Sequence, residues 1–274
     1  MNIALFFLSL LVFVPISSAL GSTPQLTVLD KSGKAVSFTP LEMQKKFGAE
    51  KITVMEPHEL RKVEFIGVAL DKILDEAFGP EWKQQDELLF TCVDGYQPSI
   101  PIQNFTTGRA YLAYGRTDQK DFTVHNKLQN EKKVPLGPFY LIWQKQGNND
   151  VWGASHWPYQ VAKMEFITFK EKFSHLYPKE KTSAKVNRGF VVFRNKCINC
   201  HTINGQGGKK GVELNYPASV TEYIKKDWLK KWIRSPRSVR YSSTMSDFPG
   251  SDEELDAVIA YLEAMSRHKM APAL

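Results

Sequence analysis

Hydrophobic and polar positions divide the chain into two differently patterned halves. Residues 25–29 alternate as a strand does, and Lys31-Ser32-Gly33-Lys34 has the composition of a hairpin turn. Thr39-Pro40-Leu41-Glu42 is a helix start, with Thr39 as cap, Pro40 in the first position and Glu42 reaching back; Gly48 ends that helix. A second strand is expected over 62–66, closed by Gly67. Leu70, Ile73, Leu74 and Ala77 then form one apolar helical stripe, stopped at Gly79-Pro80. Further strands are expected over 87–93, 139–143 and 164–169, with a long polar region over 115–133. Strands with few helices predict an α+β or mainly-β domain.

Past residue 169 the pattern changes. Lys170, Glu171, Lys172, Lys179, Glu180 and Lys181 surround Tyr177-Pro178, so 169–186 reads as an interdomain connection. Gly189 and Phe193 stand one above the other on a helix. Trp228, Leu229, Trp232 and Ile233 form a helical stripe stopped by Ser235-Pro236. Ser251-Asp252-Glu253-Glu254 is a capping box, followed by Leu255, Val258, Ile259 and Leu262 on one face. The expected architecture is therefore two domains, an α+β domain over 20–178 and an all-α domain over 179–274.

Residues 1–19 read as a secretory signal: an apolar run over 3–14, then Pro15 and the small residues Ser17, Ser18 and Ala19, with cleavage after Ala19 or Gly21. The run is short for a membrane span and has no Lys or Arg before it, which leaves an uncleaved anchor as the alternative. No later segment is apolar enough to cross a bilayer, so the mature chain is expected in the periplasm without a span. The net charge of +7 lies entirely from Lys181 onward, where 16 Lys and Arg face 9 Asp and Glu. Such a surface would steer an acidic redox partner or serve as a solvated face, and the sequence leaves both readings open. Nucleic acid is not an expected partner, given export and the lack of a binding motif.

The chemistry concentrates in Lys196-Cys197-Ile198-Asn199-Cys200-His201. C-x-x-C-H is a motif of c-type haem attachment, in which two cysteines bond the macrocycle and the adjacent histidine becomes the proximal iron ligand. Zinc would require a second C-x-x-C or paired histidines, and the chain has only one other cysteine, Cys92. A thioredoxin-type redox pair is the remaining alternative. His58, His125 and His156 stand at no ligand spacing, and the aromatic segment 152–158 is explained by packing. No Ser-His-Asp set, carboxylate pair or phosphate loop supports enzymatic chemistry outside a metal centre.

On these residues 179–274 resembles a class I cytochrome c domain. The resemblance implies one covalent haem c held by Cys197 and Cys200, with His201 as proximal ligand. It implies that Gly189 and Phe193 pack against Tyr261 of the C-terminal helix. It also calls for a backbone carbonyl to accept the histidine's ring N–H, from a G-P-x-L turn that here reads Gly211-Val212-Glu213-Leu214, with Asn215-Tyr216-Pro217 supplying stiffness in place of the missing proline. The soft thioether of Met245, in the loop before the last helix, is the expected second axial ligand of the iron; Met265 and Met270 lie at or beyond that helix's end.

Residues 25–170 carry a second resemblance. Gly67-Val68-Ala69-Leu70, Phe90-Thr91-Cys92-Val93-Asp94-Gly95-Tyr96 and Leu136-Gly137-Pro138-Phe139-Tyr140-Leu141-Ile142 are similar to the mixed-sheet molybdopterin-binding domain of the sulfite oxidase family. In that family a cysteine placed as Cys92 ligates molybdenum. The short run before Gly67 lacks the basic and polar residues that hold the pterin, so molybdopterin is not expected and Cys92 reads as a core thiol. The sequence thus predicts a mono-haem electron carrier with an N-terminal docking or scaffold domain; its rival is a molybdenum oxidoreductase in which the haem drains electrons from Cys92's metal.

Overall fold

The computed structural model describes residues 25–129, 131–144, 154–178 and 182–271. The expected signal sequence lies outside them, as do Trp152 and Gly153 and residues 179–181 of the expected connection. No helix among the described residues is long and apolar enough to cross a membrane.

The N-terminal region is sheet-rich. Strands β1 (Leu26–Leu29) and β2 (Ala35–Phe38) form the expected hairpin. Helix α1 (Pro40–Phe47) carries the full capping box between Thr39 and Glu42. Strands β3 (Glu50–Glu56) and β4 (Arg61–Ala69) pair antiparallel and lead into α2 (Leu70–Phe78), whose four stripe residues are all buried. There follow β5 (Glu87–Cys92), β6 (Ser99–Pro101), α3 (Ile102–Thr107) and β7 (Arg109–Arg116). The hairpin of β8 (Thr123–Asn126) and β9 (Glu131–Pro135), then β10 (Tyr140–Gln144) and β11 (Val161–Ile167), complete the region.

Two sheets result. One is mixed, in the order β2-β1-β11-β5-β6, with β1 and β11 parallel and the remaining pairs antiparallel. The other is antiparallel, in the order β10-β7-β4-β3. Leu26, Val28, Ile73, Leu88, Phe90, Tyr140 and Met164 belong to the core they share.

The polar stretch 115–133 contains the end of β7 and most of the β8–β9 hairpin, with Val124 paired to Val134. Two sequence expectations need correcting here. Gly67 does not close its strand but lies within β4 beside a register shift, where a Cβ would stand 2.6 Å from the Leu112 carbonyl oxygen. The expected connection is structured at its start. Helix α4 (Phe169–Lys172) and the turn after it bury Phe169, Phe173 and Leu176 in a second core, together with Leu89 and Ile167 of the sheet and residues of the C-terminal region. Of the charges that suggested a linker, Lys170, Glu171 and Lys172 are exposed beside this buried anchor.

The C-terminal region is mostly helical, with α5 (Ala184–Lys196), α6 (Val220–Tyr223), α7 (Lys226–Arg234), α8 (Pro236–Val239) and α9 (Asp252–Met265). A two-residue ribbon, β12 (Thr202–Ile203) with β13 (Gln206–Gly207), is a small departure from the all-α expectation. Asn204 and Gly205 turn it at φ +54° and +78°, the left-handed pair that two-residue hairpins require. Helices α5 and α9 cross at Gly189, where a Cβ would run into the Ala257 carbonyl and stand 2.8 Å from the Tyr261 Cβ. One turn on, the Phe193 and Tyr261 rings lie 5.2 Å apart, and the Tyr261 hydroxyl donates to the Leu176 carbonyl at 2.6 Å. In α7 the buried pair is Leu229 and Ile233; Trp228 lies off that face, 54 % exposed, with the Lys231 ammonium over its ring.

Candidate haem-attachment site

Ser183 caps α5 by accepting from the Val186 N–H, and the helix runs straight into Cys197 at its C-cap. The chain then turns tightly: the Cys200 and His201 N–H groups both donate to the Cys197 carbonyl, at 3.1 and 3.0 Å. Ile198 is buried while Cys197, Cys200 and His201 are half-buried, so the apolar residue between the cysteines anchors the turn and leaves the reactive groups at its edge.

Both cysteines are free thiols. Desolvation pushes Cys197 up to about 12, with Cys200 adding and Lys196 opposing. Desolvation likewise pushes Cys200 up to about 11, against the nearby Lys210 and with Asp94. A thioredoxin-type pair depends on a depressed thiol pKa, so these surroundings speak against that alternative.

His201 is fixed from two directions. Its Nδ1 lies 2.9 Å from the Val212 carbonyl oxygen, the acceptor expected from the Gly211-Val212-Glu213-Leu214 turn. A carbonyl can only accept, so Nδ1 carries the proton and Nε2 keeps a bare lone pair, the state in which imidazole binds a metal. Gly211 packs against the ring so closely that a Cβ would lie 2.6 Å from Cε1. Burial lowers the proton affinity of this imidazole, with the Val212 carbonyl and Glu213 acting the other way.

The turn's stiffness comes from a residue that the sequence reading does not single out. The Glu213 carboxylate accepts from the N–H groups of Asn204, Gly205, Asn215 and Tyr216, at 2.8 to 3.2 Å. Asn215, expected only as part of a rigid tripeptide, is buried and donates to the Asn204 side chain at 2.8 Å and to the Met265 carbonyl at 2.9 Å. This ties the turn to the end of α9. The visible signal was Asn204-Gly205, a hairpin dipeptide.

Met245 sits in the loop before α9, half-buried against the same apolar cluster as Cys197. Arg234 holds the far end of that loop, donating to the Phe248 carbonyl at 3.1 Å and to the Gly250 carbonyl, and pairing with Asp252. Met265 is buried in the core and Met270 is 44 % exposed beyond the helix.

The residues therefore fit a c-type haem: two unpaired thiols in one turn, a histidine with a bare Nε2, and a thioether packed against the same apolar cluster from the loop before α9. Among the described residues no group of three or more His, Cys, Asp and Glu side chains is gathered as a metal ion would require. Cys92 is 3 % exposed in β5, its thiol pushed up by burial, with Asp94 and Cys200 adding and Lys210 opposing. Cys92→Ser is expected to lower unfolding stability by ~1–3 kcal/mol through burial of a hydroxyl, read by urea denaturation, without altering the haem spectrum. Stoichiometric molybdenum in the parent protein, lost in Cys92→Ser, would contradict this. His58 is also internal: its Nδ1 lies 2.8 Å from Glu56 and 3.2 Å from the Tyr140 hydroxyl, a buried polar cluster of the N-terminal region.

A cytochrome c family model matches residues 186–266. Cytochrome c oxidase subunit 2 from Alkalihalophilus pseudofirmus (strain ATCC BAA-2126 / JCM 17055 / OF4) is 32% identical over 93 residues, which is 31% of this chain and 27% of that protein. The match thus spans about a quarter of the relative's length. Sheet-rich in its N-terminal region, the chain carries in its helical C-terminal region a cytochrome c domain, a fold that implies covalently bound haem c.

Proposed function

We propose that the chain is a periplasmic electron-transfer protein that binds one haem through Cys197 and Cys200, with His201 and Met245 as axial ligands. The observation that carries this reading is the His201 Nδ1–H donated to the Val212 carbonyl, which leaves the Nε2 lone pair free to bind a metal. The bound haem would supply one-electron exchange. The chain's own residues would anchor it through Cys197 and Cys200, hold the imidazole in a single tautomer and offer the Met245 thioether from the loop before α9. With His201 and Met245 both bound to it, the iron would have no open position for substrate, and the haem would supply outer-sphere electron transfer.

The domain limits proposed are 20–178 and 179–274, with 1–19 as an export signal. The N-terminal region, which we read from its short motifs as resembling the sulfite oxidase family's pterin domain, serves in this reading as a docking or scaffold module. The positive charge from Lys181 onward supports redox partners of acidic character.

Met245→Ala tests the ligand assignment. It is expected to open a coordination position, seen as binding of added cyanide or imidazole to the ferric protein, and to lower the reduction potential, since the thioether favours ferrous iron. An unchanged spectrum and potential would transfer the role to another residue, Met265 being the next candidate.

A further inference from the structure

The turn that follows β5 carries the Cys92-Val93-Asp94-Gly95-Tyr96 motif, to which electron transfer assigns no task. It is seated on the haem-attachment segment. The Lys209 N–H donates to the Gly95 carbonyl at 2.8 Å, and the Gln97 N–H donates to the carbonyl of Asn199, between the two cysteines, also at 2.8 Å. The Asn199 side-chain amide donates to the Tyr96 hydroxyl at 3.2 Å, while that hydroxyl donates to the Ser155 carbonyl at 3.0 Å. The Lys210 ammonium lies 2.9 Å from the Asp94 carboxylate and 3.1 Å from the Tyr159 hydroxyl. Gly95 has φ +86°, and a Cβ there would stand 2.8 Å from the Lys209 carbonyl carbon and the Lys210 nitrogen. Close approach and backbone conformation both require glycine at this point.

These contacts end where His201 begins. Lys209 and Lys210 are gripped by the turn; the next residue, Gly211, donates its N–H to the Cys200 carbonyl at 2.6 Å and lies against the imidazole; the Val212 carbonyl accepts the imidazole N–H. Four consecutive residues thus link the N-terminal region to the ring. We infer that Asp94, Gly95 and Tyr96 are positioning residues for His201, and that the N-terminal region acts as an intramolecular brace setting the strength of the His201–Val212 hydrogen bond and with it the haem's reduction potential. The inference rests on the proposed role of His201 as iron ligand. A carbonyl that accepts the ligand's N–H makes the imidazole a stronger donor, which favours ferric iron. Loosening the brace weakens that bond and raises the potential.

The test uses the full-length haem protein and two readouts: equilibrium redox titration, and the His201 Nδ1 proton resonance of the ferrous form. Gly95→Ala is expected to raise the potential, shift that resonance upfield and hasten its exchange with solvent. Tyr96→Phe removes only the hydroxyl, with its contacts to Asn199 and to the Ser155 carbonyl, and is expected to move both readouts the same way by a smaller amount, so the test survives if Gly95→Ala fails to fold. Arg194→Gln is the comparison. It breaks another contact between the regions, the Arg194–Glu87 ion pair and the stacking of Arg194 on Phe169, and touches nothing in 209–212. It is expected to lower the melting temperature and leave potential and resonance in place. The brace is overturned if Gly95→Ala and Tyr96→Phe match the parent in both readouts, or if Arg194→Gln moves them equally. A parent protein without covalent haem overturns the ligand reading as well, and so separates the two failures.

Discussion

Gly189→Ala is expected to destabilise the C-terminal region by ~2 kcal/mol, seen as a lower guanidinium midpoint followed by circular dichroism. Two terms compete. Alanine is the better helix former by ~1 kcal/mol, and overpacking a filled contact costs ~1–3 kcal/mol or more. The cost takes the upper end here because the Cβ meets the backbone carbonyl of Ala257 rather than a side chain able to rotate away. The two helices must move apart along their axes. That separation also pulls Phe193 from Tyr261 and shifts the end of α5, where Cys197 begins the attachment turn. A variant as stable as the parent would show that the crossing yields at little cost.

The Cys197→Ala, Cys200→Ala double variant is expected to lose all haem on acid-acetone extraction, while the parent retains it. Both thiols sit at the edge of the turn rather than in its core, and Ile198 keeps the local anchor, so alanine leaves the fold of the turn standing. Each single variant is expected to keep haem through the remaining thioether. In the proposed reading His201 and Met245 would still ligate haem in the double variant, which makes its absorption a poor test of attachment and extraction a decisive one. Haem retained by the double variant would require another covalent anchor.

What could be read from the sequence depended on how local the cause was. The capping boxes at Thr39 and Ser251 and the α2 stripe are set by residues a few positions apart or by a strict helical period, and all are present in the structure; the contact of Gly189 and Phe193 with the last helix, also present, was implied by the cytochrome c resemblance. Strand β3 was hidden because its inward positions include Glu56, buried only because His58 and Tyr140 receive it. The β8–β9 hairpin was hidden because few apolar residues mark it. Gly67 was misread as a stop because a glycine that ends a strand and one that permits close approach of two backbones look alike in sequence. At the site, the motif followed from spacing and a carbonyl from the 211–214 turn was implied by the cytochrome c resemblance, whereas Glu213 accepts from backbone N–H groups that no side-chain pattern marks, and Asn215 and Arg234 act through partners farther along the chain. The contact between the 94–97 turn and the attachment segment depends on tertiary folding alone; no periodicity records that Gly95 meets Lys209.

The central claim is that the haem is bonded to Cys197 and Cys200. Proteolysis of the purified protein followed by tandem mass spectrometry of the fragment holding 197–201 tests it directly. The account predicts a single fragment heavier by one haem, with the added mass localised to both cysteines. Recovery of that fragment unmodified, or with Cys197 and Cys200 joined as a disulfide, would contradict it.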